Sequence, residues 1–168
     1  EGISASLLVP AMLNFMMQVP LDQVKYDQLR WIQSGAAPLP VSLIEQYSAR
    51  GIEIHQIYGL TETCGPACVI SAEHALKKIG STGKAFFHTE VRVVDESGSD
   101  CEPGEQGEVW VKGGHIMIEY WHRPEATAET ITQDGWLRTG DVASIDDEGF
   151  VYIQDRIKDM IISGGENV

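Results

Sequence analysis

Short apolar runs alternate with helical stretches in the first half of the chain. Two stretches predict helices, at residues 11–17 and 40–50. Pro40 suits the first turn of a helix, and Gly51 suits the position just past a helix end. Three runs predict strands, at residues 5–9, 31–34 and 53–57. Because strands that alternate with helices favour a parallel sheet, residues 1–78 are predicted to form part of a layered α/β subdomain.

After about residue 79 the pattern changes to the two-residue period of half-exposed strands. Such strands are predicted at residues 90–95, 107–112 and 149–153. Clusters of turn-forming residues separate them, and one helix at residues 124–131 interrupts the series. Residues 79–154 are therefore predicted to form a small antiparallel sheet resembling a β-barrel.

The composition argues against several kinds of partner. The 168 residues carry a formal net charge of −13, which disfavours nucleic acid or an anionic membrane surface. No apolar run is long enough to span a bilayer, and the first residues lack the basic region of a signal peptide. The chain starts without Met and stops at Gly165-Glu166-Asn167-Val168, inside a motif. We expect it to be a piece of a longer protein.

The cysteines and histidines offer little chemistry by themselves. The three cysteines are Cys64, Cys68 and Cys101, and their odd number favours a reducing compartment such as the cytoplasm. Cys64 and Cys68 could be metal ligands on one helix face, but no second ligand pair follows. We expect all three to be small buried apolar residues. The five histidines are scattered, which favours structural roles.

The segment Tyr58-Gly59-Leu60-Thr61-Glu62-Thr63 directly follows a predicted strand. Ligands of open α/β sheets bind at the carboxyl ends of strands, so this segment lies where a site is expected. Gly59 lets the backbone turn close to a ligand, and Tyr58 offers a flat face to a base. Thr61 offers a hydroxyl to a phosphate, and Glu62 a hard oxygen to Mg²⁺. The alternative is an ordinary strand-end turn with a capping threonine.

Two later segments are compatible with nucleotide binding. Thr139-Gly140-Asp141 places a carboxylate after a tight glycine turn, where it could accept hydrogen bonds from a ribose diol. Residues 155–168 follow a strand and contain paired glycines. Taken singly, the Thr-Gly-Asp turn is a weak signal, and a solvated turn is the better explanation of it.

Taken together, these segments resemble the adenylate-forming superfamily of acyl-CoA synthetases, luciferases and peptide-synthetase adenylation domains. The matching motifs, in family order, are Ser34-Gly35-Ala36-Ala37-Pro38-Leu39, Tyr58-Gly59-Leu60-Thr61-Glu62, Tyr120-Trp121, Thr139-Gly140-Asp141 and Asp155-Arg156-Ile157-Lys158-Asp159. The resemblance covers essentially the whole chain. It implies ATP-dependent activation of a carboxylate to an acyl-adenylate and pyrophosphate, followed in many members by transfer to coenzyme A.

The resemblance implies a nucleotide site built from several segments. Its residues would be Gly35, Ala36, Ala37, Tyr58, Gly59, Thr61, Asp141 and Arg156. The ring of Tyr58 would lie against adenine, Thr61 would contact the α-phosphate, and Asp141 would hold the ribose hydroxyls. Arg156 would lie beside Asp141.

Other roles are implied in the same way. Thr61 and Glu62 would be catalytic, with Glu62 also the Mg²⁺ ligand, and Gln56 and Ile57 would border the acyl group. Ile57 stands where several relatives have glycine, which would narrow the pocket. Residues 155–168 would be the hinge and the start of a C-terminal lid. There Lys158 would be the pivot, and Gly164 and Gly165 would line the coenzyme A channel.

The resemblance also identifies what this sequence lacks. The family's phosphate loop with its lysine and the lysine of its lid match nothing in residues 1–168. Gly80-Ser81-Thr82-Gly83-Lys84 only superficially resembles a P-loop, because Lys78 and Ala85 stand where that motif needs Gly and Ser or Thr. We read it as the approach to the first strand of the second half. We expect the chain by itself to form no acyl-adenylate.

The leading hypothesis is therefore a piece of a fatty-acyl-type acyl-CoA synthetase that uses ATP, Mg²⁺, a carboxylic acid and coenzyme A. Leu60 favours this reading over amino-acid adenylation domains, which usually carry proline at that position. The alternatives are another adenylate-forming enzyme or a non-catalytic nucleotide-binding module.

Overall fold

The computed structural model describes residues 2–20, 26–37, 39–156, 162–163 and 166–167. A five-stranded sheet has the order β1-β2-β3-β4-β5. Its strands are β1 (Ala5–Leu7), β2 (Trp31–Ser34), β3 (Glu53–Tyr58), β4 (Cys68–Val69) and β5 (Lys84–Ala85). In its described residues this half has the α-helices α1 (Pro10–Met16), α2 (Val41–Ser48) and α3 (Ala72–Ala75), and a short 3-10 helix at Thr61–Thr63.

Strands β1, β2 and β3 pair in parallel, as the alternation of strands and helices predicts. Proline begins α1 at its first turn and directly precedes α2, where a missing N–H costs no hydrogen bond. The short strands β4 and β5 add to the sheet antiparallel, and the sequence pattern did not predict them. The sheet is therefore mixed, and the α/β prediction is confirmed for its first three strands.

The helices of the first half pack on the parallel strands through an apolar core. Its buried members are Leu13, Ile32, Leu39, Leu43, Ile44, Tyr47, Ile52 and Ile54. The Tyr47 hydroxyl, wholly buried, donates a hydrogen bond to the carbonyl oxygen of Leu13 over 2.7 Å. Burying each such large side chain contributes roughly 1.5–3 kcal/mol, so this core fixes α1 and α2 on the sheet.

The second half forms an antiparallel sheet of the order β6-β7-β8-β9. Its strands are β6 (Thr89–Val94), β7 (Gly107–Gly113), β8 (Leu137–Ile145) and β9 (Val151–Arg156), with the helix α4 (Pro124–Thr130) before β8. One face packs Val93, Val109, Val111, Ala143 and Val151 against Tyr58, Ala67 and Cys68 of the first half. The antiparallel prediction is confirmed, and a hydrophobic core joins the two sheets. A separate pair, β10 (Ile162–Ser163) and β11 (Glu166–Asn167), follows.

The predicted turn at Gly140 is wrong. The glycine turn expected around Gly140 lies inside β8, the longest strand of the sheet. Gly140 has a φ of 71° and the pairing register with β7 shifts beside it, so it forms a bulge. Glycine marks turns and bulges alike, and only the strands on either side distinguish the two.

The segment that resembles a P-loop forms the junction between the sheets. The Ser81 hydroxyl is buried and donates to the carbonyl oxygen of Val151 over 2.8 Å, and the Thr82 N–H donates to the same oxygen. The Lys78 ammonium lies 2.8 Å from Asp146 and also pairs with Glu148. These contacts give the segment a structural role. It leads into β5 of the first sheet, which corrects the expectation that it approaches the first strand of the second half.

Gly83 is predicted to be irreplaceable at this junction. Its φ is +95°, and a Cβ atom there would overlap the backbone of Val69 in β4. Gly80 has a similar φ of +89° with open space around it, so Gly80→Ala serves as the matched control. We expect Gly83→Ala to lower the free energy of unfolding by about 3 kcal/mol more than Gly80→Ala, measured by urea denaturation. Equal losses would show that the overlap is relieved by a small backbone shift.

The three cysteines differ in exposure, which corrects the expectation that all are buried. Cys68 is buried, Cys101 is half-buried and Cys64 is exposed, in a left-handed turn with a φ of 50°. None forms a disulfide. Sequence spacing cannot distinguish a core thiol from a thiol on a turn, because both positions accept a small side chain.

The reactivity of the three thiols should follow their exposure, with Cys64 the most reactive and Cys68 the least. Burial raises the pKa of Cys68 to about 12, so its reactive thiolate is scarce at neutral pH. The folded protein holds this proton more tightly than the unfolded chain does. The free energy of unfolding therefore falls as pH rises toward 12. We expect an aromatic disulfide reagent at neutral pH to modify Cys64 first and Cys68 only after unfolding. Rapid modification of Cys68 in a Cys64→Ser variant would contradict its burial.

Candidate active site

The carboxyl ends of β2 and β3 bring two predicted segments together. In the parallel register Ser34 lies opposite Gln56, so Gly35 follows beside Ile57. A Cβ atom on Gly35 would lie 2.6 Å from the carbonyl oxygen of Ile57 and 2.7 Å from its Cγ1. Ala36 then adopts a φ of 68°, which a non-glycine residue rarely does. The turn after β2 is therefore held tightly against the end of β3.

Tyr58, the last residue of β3, connects the two sheets. Its hydroxyl donates a hydrogen bond to Oδ2 of Asp141 in β8 over 2.7 Å. Tyr58 is 9% exposed and Asp141 is 2% exposed. Burial raises the pKa of Tyr58 well above its usual range, and the Asp141 charge raises it further, so the hydroxyl remains a donor. Two predicted nucleotide residues that lie far apart in sequence are thus in direct contact.

The turn after Tyr58 has a fixed backbone. A Cβ atom on Gly59 would overlap the carbonyl oxygen of Gly65, so only glycine fits there. The Thr63 hydroxyl accepts the Leu60 N–H over 2.9 Å, and the same oxygen lies 2.6 Å from the carbonyl oxygen of Gly65. The capping threonine of this turn is therefore Thr63. Thr61 is exposed, and its hydroxyl makes no hydrogen bond within the described part of the chain.

Glu62 is held by a loop of the second half. The Tyr120 hydroxyl donates to Oε1 of Glu62 over 2.6 Å, and the Met117 N–H donates to the Glu62 carbonyl oxygen over 2.8 Å. The Tyr120 N–H is itself held by the Thr127 hydroxyl in α4. Burial, followed by the hydrogen bond to Glu62, raises the pKa of Tyr120 to about 12. Glu62 is therefore an oriented, half-buried carboxylate.

This arrangement fits a magnesium ion bound with a nucleotide. Mg²⁺ at phosphate sites needs only one or two protein carboxylates, because phosphate oxygens and water complete its octahedron. Among the described residues the acidic group Asp146, Asp147 and Glu148 could also approach a cation. It lies on an exposed turn, and two of its carboxylates pair with Lys78. The role of Glu62 as a Mg²⁺ ligand stays a prediction.

The two predicted acyl-group residues point differently. Gln56 is 7% exposed and its side-chain amide donates to the Ser81 carbonyl oxygen over 3.1 Å. This contact turns it toward the junction of the sheets. Ile57 is half-buried and contacts Gly35. Their roles toward an acyl group stay predictions.

The remaining predicted residues lie at the end of the chain. Arg156 ends β9 with its backbone opposite Asp141, in agreement with its predicted position, while its side chain lies outside the described residues. Lys158, Gly164 and Gly165 also lie outside the described residues. Their roles as hinge and coenzyme A channel stay predictions.

Sequence reasoning gave no role to three residues that support this site. Tyr120 was identified only as part of a family motif, although it holds Glu62 from 58 positions away. Glu108 and Thr139 support the bulge that carries Asp141. No local pattern shows such contacts, because each depends on strand or loop pairing that is distant in sequence.

The sequence profile of the AMP-binding enzyme family matches residues 1–121. The chain belongs to this family. The curated relatives include the long-chain-fatty-acid–CoA ligase FadD13 of Mycobacterium tuberculosis (strain ATCC 25618 / H37Rv), which is 50% identical over 100% of this chain and 33% of that protein. The resemblance to acyl-CoA synthetases is thereby confirmed.

Two further relatives of this AMP-binding chain act on other acids. The feruloyl-CoA synthase of Amycolatopsis sp is 47% identical over 84% of this chain and 29% of that protein. The o-succinylbenzoate CoA synthetase (MenE) of Bacillus subtilis, solved in complex with the acyl-adenylate intermediate OSB-AMP, is 38% identical with a TM-score of 0.86. That match covers 99% of this chain and 34% of the other. The chain thus spans about a third of the length of the proteins it matches.

The described part of the chain contains no helix that is both long and apolar enough to cross a membrane.

Proposed function

We propose that this chain is part of an ATP-dependent acid–CoA ligase. A carboxylate oxygen attacks the α-phosphorus of ATP, pyrophosphate leaves, and the acyl-adenylate forms. The coenzyme A thiol then attacks the acyl carbon, loses its proton, and displaces AMP. The observation that carries this proposal is the convergence of Tyr58, Asp141, Glu62 and Tyr120 at the junction of the sheets. Relatives named as CoA ligases support it.

Binding and orientation are the main contributions of this chain. Asp141 accepts hydrogen bonds from the ribose, while the Gly35–Ala37 turn and Tyr58 border adenine. Thr61, exposed beside Glu62, donates to an oxygen of the α-phosphate. Mg²⁺, held by Glu62, would neutralise phosphate charge. Because both reactants are anions, alignment and charge neutralisation supply most of the acceleration, and no side chain needs to act as a covalent nucleophile.

A fatty acid is the proposed substrate, and the cytoplasm the proposed location. The identity to a long-chain-fatty-acid–CoA ligase supports the substrate. Ile57, packed against Gly35 at the strand ends, supports a narrow acyl pocket. Three cysteines without disulfides support a reducing compartment.

The test uses the full-length ligase that contains this chain. Acid-dependent exchange between ATP and labelled pyrophosphate reports adenylation, and acyl-CoA formation reports transfer. We expect both reactions with straight-chain fatty acids and weaker ones with ferulate or succinylbenzoate. Exchange without acyl-CoA formation would indicate another adenylate-forming enzyme. AMP binding without exchange, for any acid tried, would indicate a nucleotide-binding module.

Ile57 should restrict the width of the acyl group. In Ile57→Gly the side chain that contacts Gly35 is removed, so a bulky aryl acid should gain room. We expect kcat/KM for ferulate to rise about tenfold relative to that for a straight-chain acid, a typical effect of reshaping an apolar pocket. Ile3→Gly, at an exposed isoleucine, is the control. An unchanged ratio would place the acyl group elsewhere.

A further inference from the structure

The bulge in β8 places Asp141 in the candidate active site. Glu108 pairs with Val142, and Trp110 pairs with Arg138. One residue of β7, Val109, therefore faces three residues of β8, Thr139, Gly140 and Asp141. Side chains alternate between the two faces of a strand, and an excess of two residues preserves this alternation. Thr139 and Asp141 therefore stay on the core-facing side of β8.

Two side chains satisfy the backbone groups that this bulge removes from the strand ladder. The Gly140 N–H donates to Oε1 of Glu108 over 3.0 Å. The Asp141 N–H donates to the Thr139 hydroxyl over 3.1 Å, and that hydroxyl donates to the Val109 carbonyl oxygen over 2.8 Å. Because a buried N–H without an acceptor is costly, these two bonds favour this bulge over a regular strand.

Glu108 is itself held in place. Its second oxygen, Oε2, accepts the Trp110 indole N–H over 2.8 Å. The Trp110 ring has the guanidinium groups of Arg92 and Arg138 at 4.9 Å and 5.0 Å from its centre. Both carboxylate oxygens of Glu108 are thus used, one by the tryptophan and one by the bulge. A glutamine replaces one of these oxygens with an NH₂ group, so one of the two N–H donors would face another donor.

We propose that Glu108 and Thr139 are positioning residues for Asp141. Glu108 fixes the Gly140 peptide, Thr139 fixes the Asp141 peptide, and together they orient the Asp141 carboxylate toward the ribose. This inference rests on the proposed function, in which Asp141 binds the ribose hydroxyls. In this proposal Glu108 and Thr139 act on nucleotide binding only through Asp141.

The test compares AMP with 2′,3′-dideoxy-AMP, which lacks the two hydroxyls that Asp141 would hold. Dissociation constants for the full-length ligase are measured by calorimetry. We expect wild type to bind AMP at least about tenfold more tightly than the dideoxy analogue. In Glu108→Gln this preference should fall to about threefold or less, while the affinity for dideoxy-AMP stays within about twofold of wild type. Glu90→Gln, an exposed glutamate of the same sheet, is the matched control and should keep the full preference.

A purely structural role for Glu108 would weaken both ligands equally and leave their ratio unchanged, which would overturn the proposal. If wild type shows no preference, the ribose role of Asp141 fails, and this proposal fails with it for that separate reason. If Glu108→Gln does not fold, Thr139→Val removes the other bond to the bulge, and the same ratio of the two dissociation constants decides.

In an Asp141→Ala background, Glu108→Gln should have no further effect on AMP affinity. A further loss there would contradict positioning through Asp141.

Discussion

We expect a Lys158→Pro variant of the full-length ligase to lose transfer to coenzyme A by orders of magnitude while it keeps adenylation. In the proposed function the two half-reactions use different groups over one site. The family resemblance implies a small domain that rotates between them, and a few backbone dihedrals would absorb that rotation. The family resemblance puts the pivot at Lys158, outside the described residues. Proline locks φ at about −65° and removes the N–H. This restriction should hold the hinge in one orientation.

Two measurements separate the half-reactions of this variant. Single-turnover release of pyrophosphate reports adenylation, and acyl-CoA formation from preformed acyl-adenylate reports transfer. Lys158→Ala is the matched control: it removes the side chain but leaves φ free, so it should retain far more transfer than the proline variant. A parallel fall of both half-reactions would indicate damage to the fold or the ATP site. If neither falls, the hinge lies elsewhere and Lys158 is a solvated lysine on a turn.

Asp141→Ala should weaken productive ATP use by roughly 10- to 100-fold in the full-length ligase. Hydrogen bonds to a charged group are worth about 1.5–3 kcal/mol, and about 1.4 kcal/mol corresponds to a factor of ten. The carboxylate is 2% exposed and accepts the Tyr58 hydroxyl, so the variant also removes a buried acceptor. The expected change is a rise in the KM for ATP, with a smaller change in the KM for the acid.

Two further variants separate ribose binding from support of Tyr58. Tyr58→Phe removes the hydroxyl donor and leaves the Asp141 carboxylate, so it should retain most of the ATP affinity that Asp141→Ala loses. Asp147→Ala, at an exposed carboxylate on the turn between β8 and β9, is the control for the lost charge. ATP kinetics unchanged in Asp141→Ala would remove this residue from the site. An equal loss in Tyr58→Phe would assign the effect to packing.

The position of the Tyr58–Glu62 segment, which is predicted to bind the nucleotide, followed from the sequence because it depends on a local pattern. The two-residue period of residues 53–57 predicted β3, so Tyr58 and Glu62 had to follow its carboxyl end. The alternation of strands and helices predicted the parallel arrangement, and the structure then placed Gly35 beside Ile57 at the shared edge of β2 and β3. The same patterns predicted the antiparallel second half. The order of the motifs was sufficient to identify the family.

The tertiary structure alone decided how these residues are held. Tyr58 contacts Asp141, and Tyr120 contacts Glu62, only because the second sheet packs against the first through a shared core. Pairing between distant strands leaves no periodic signal in either partner, so the sequence showed Gly140 as a turn when it is a bulge within β8. The exposure of Cys64 was hidden because core and turn positions both accept a small side chain. Sequence determined which side chains reach the strand ends, and packing determined which of them meet.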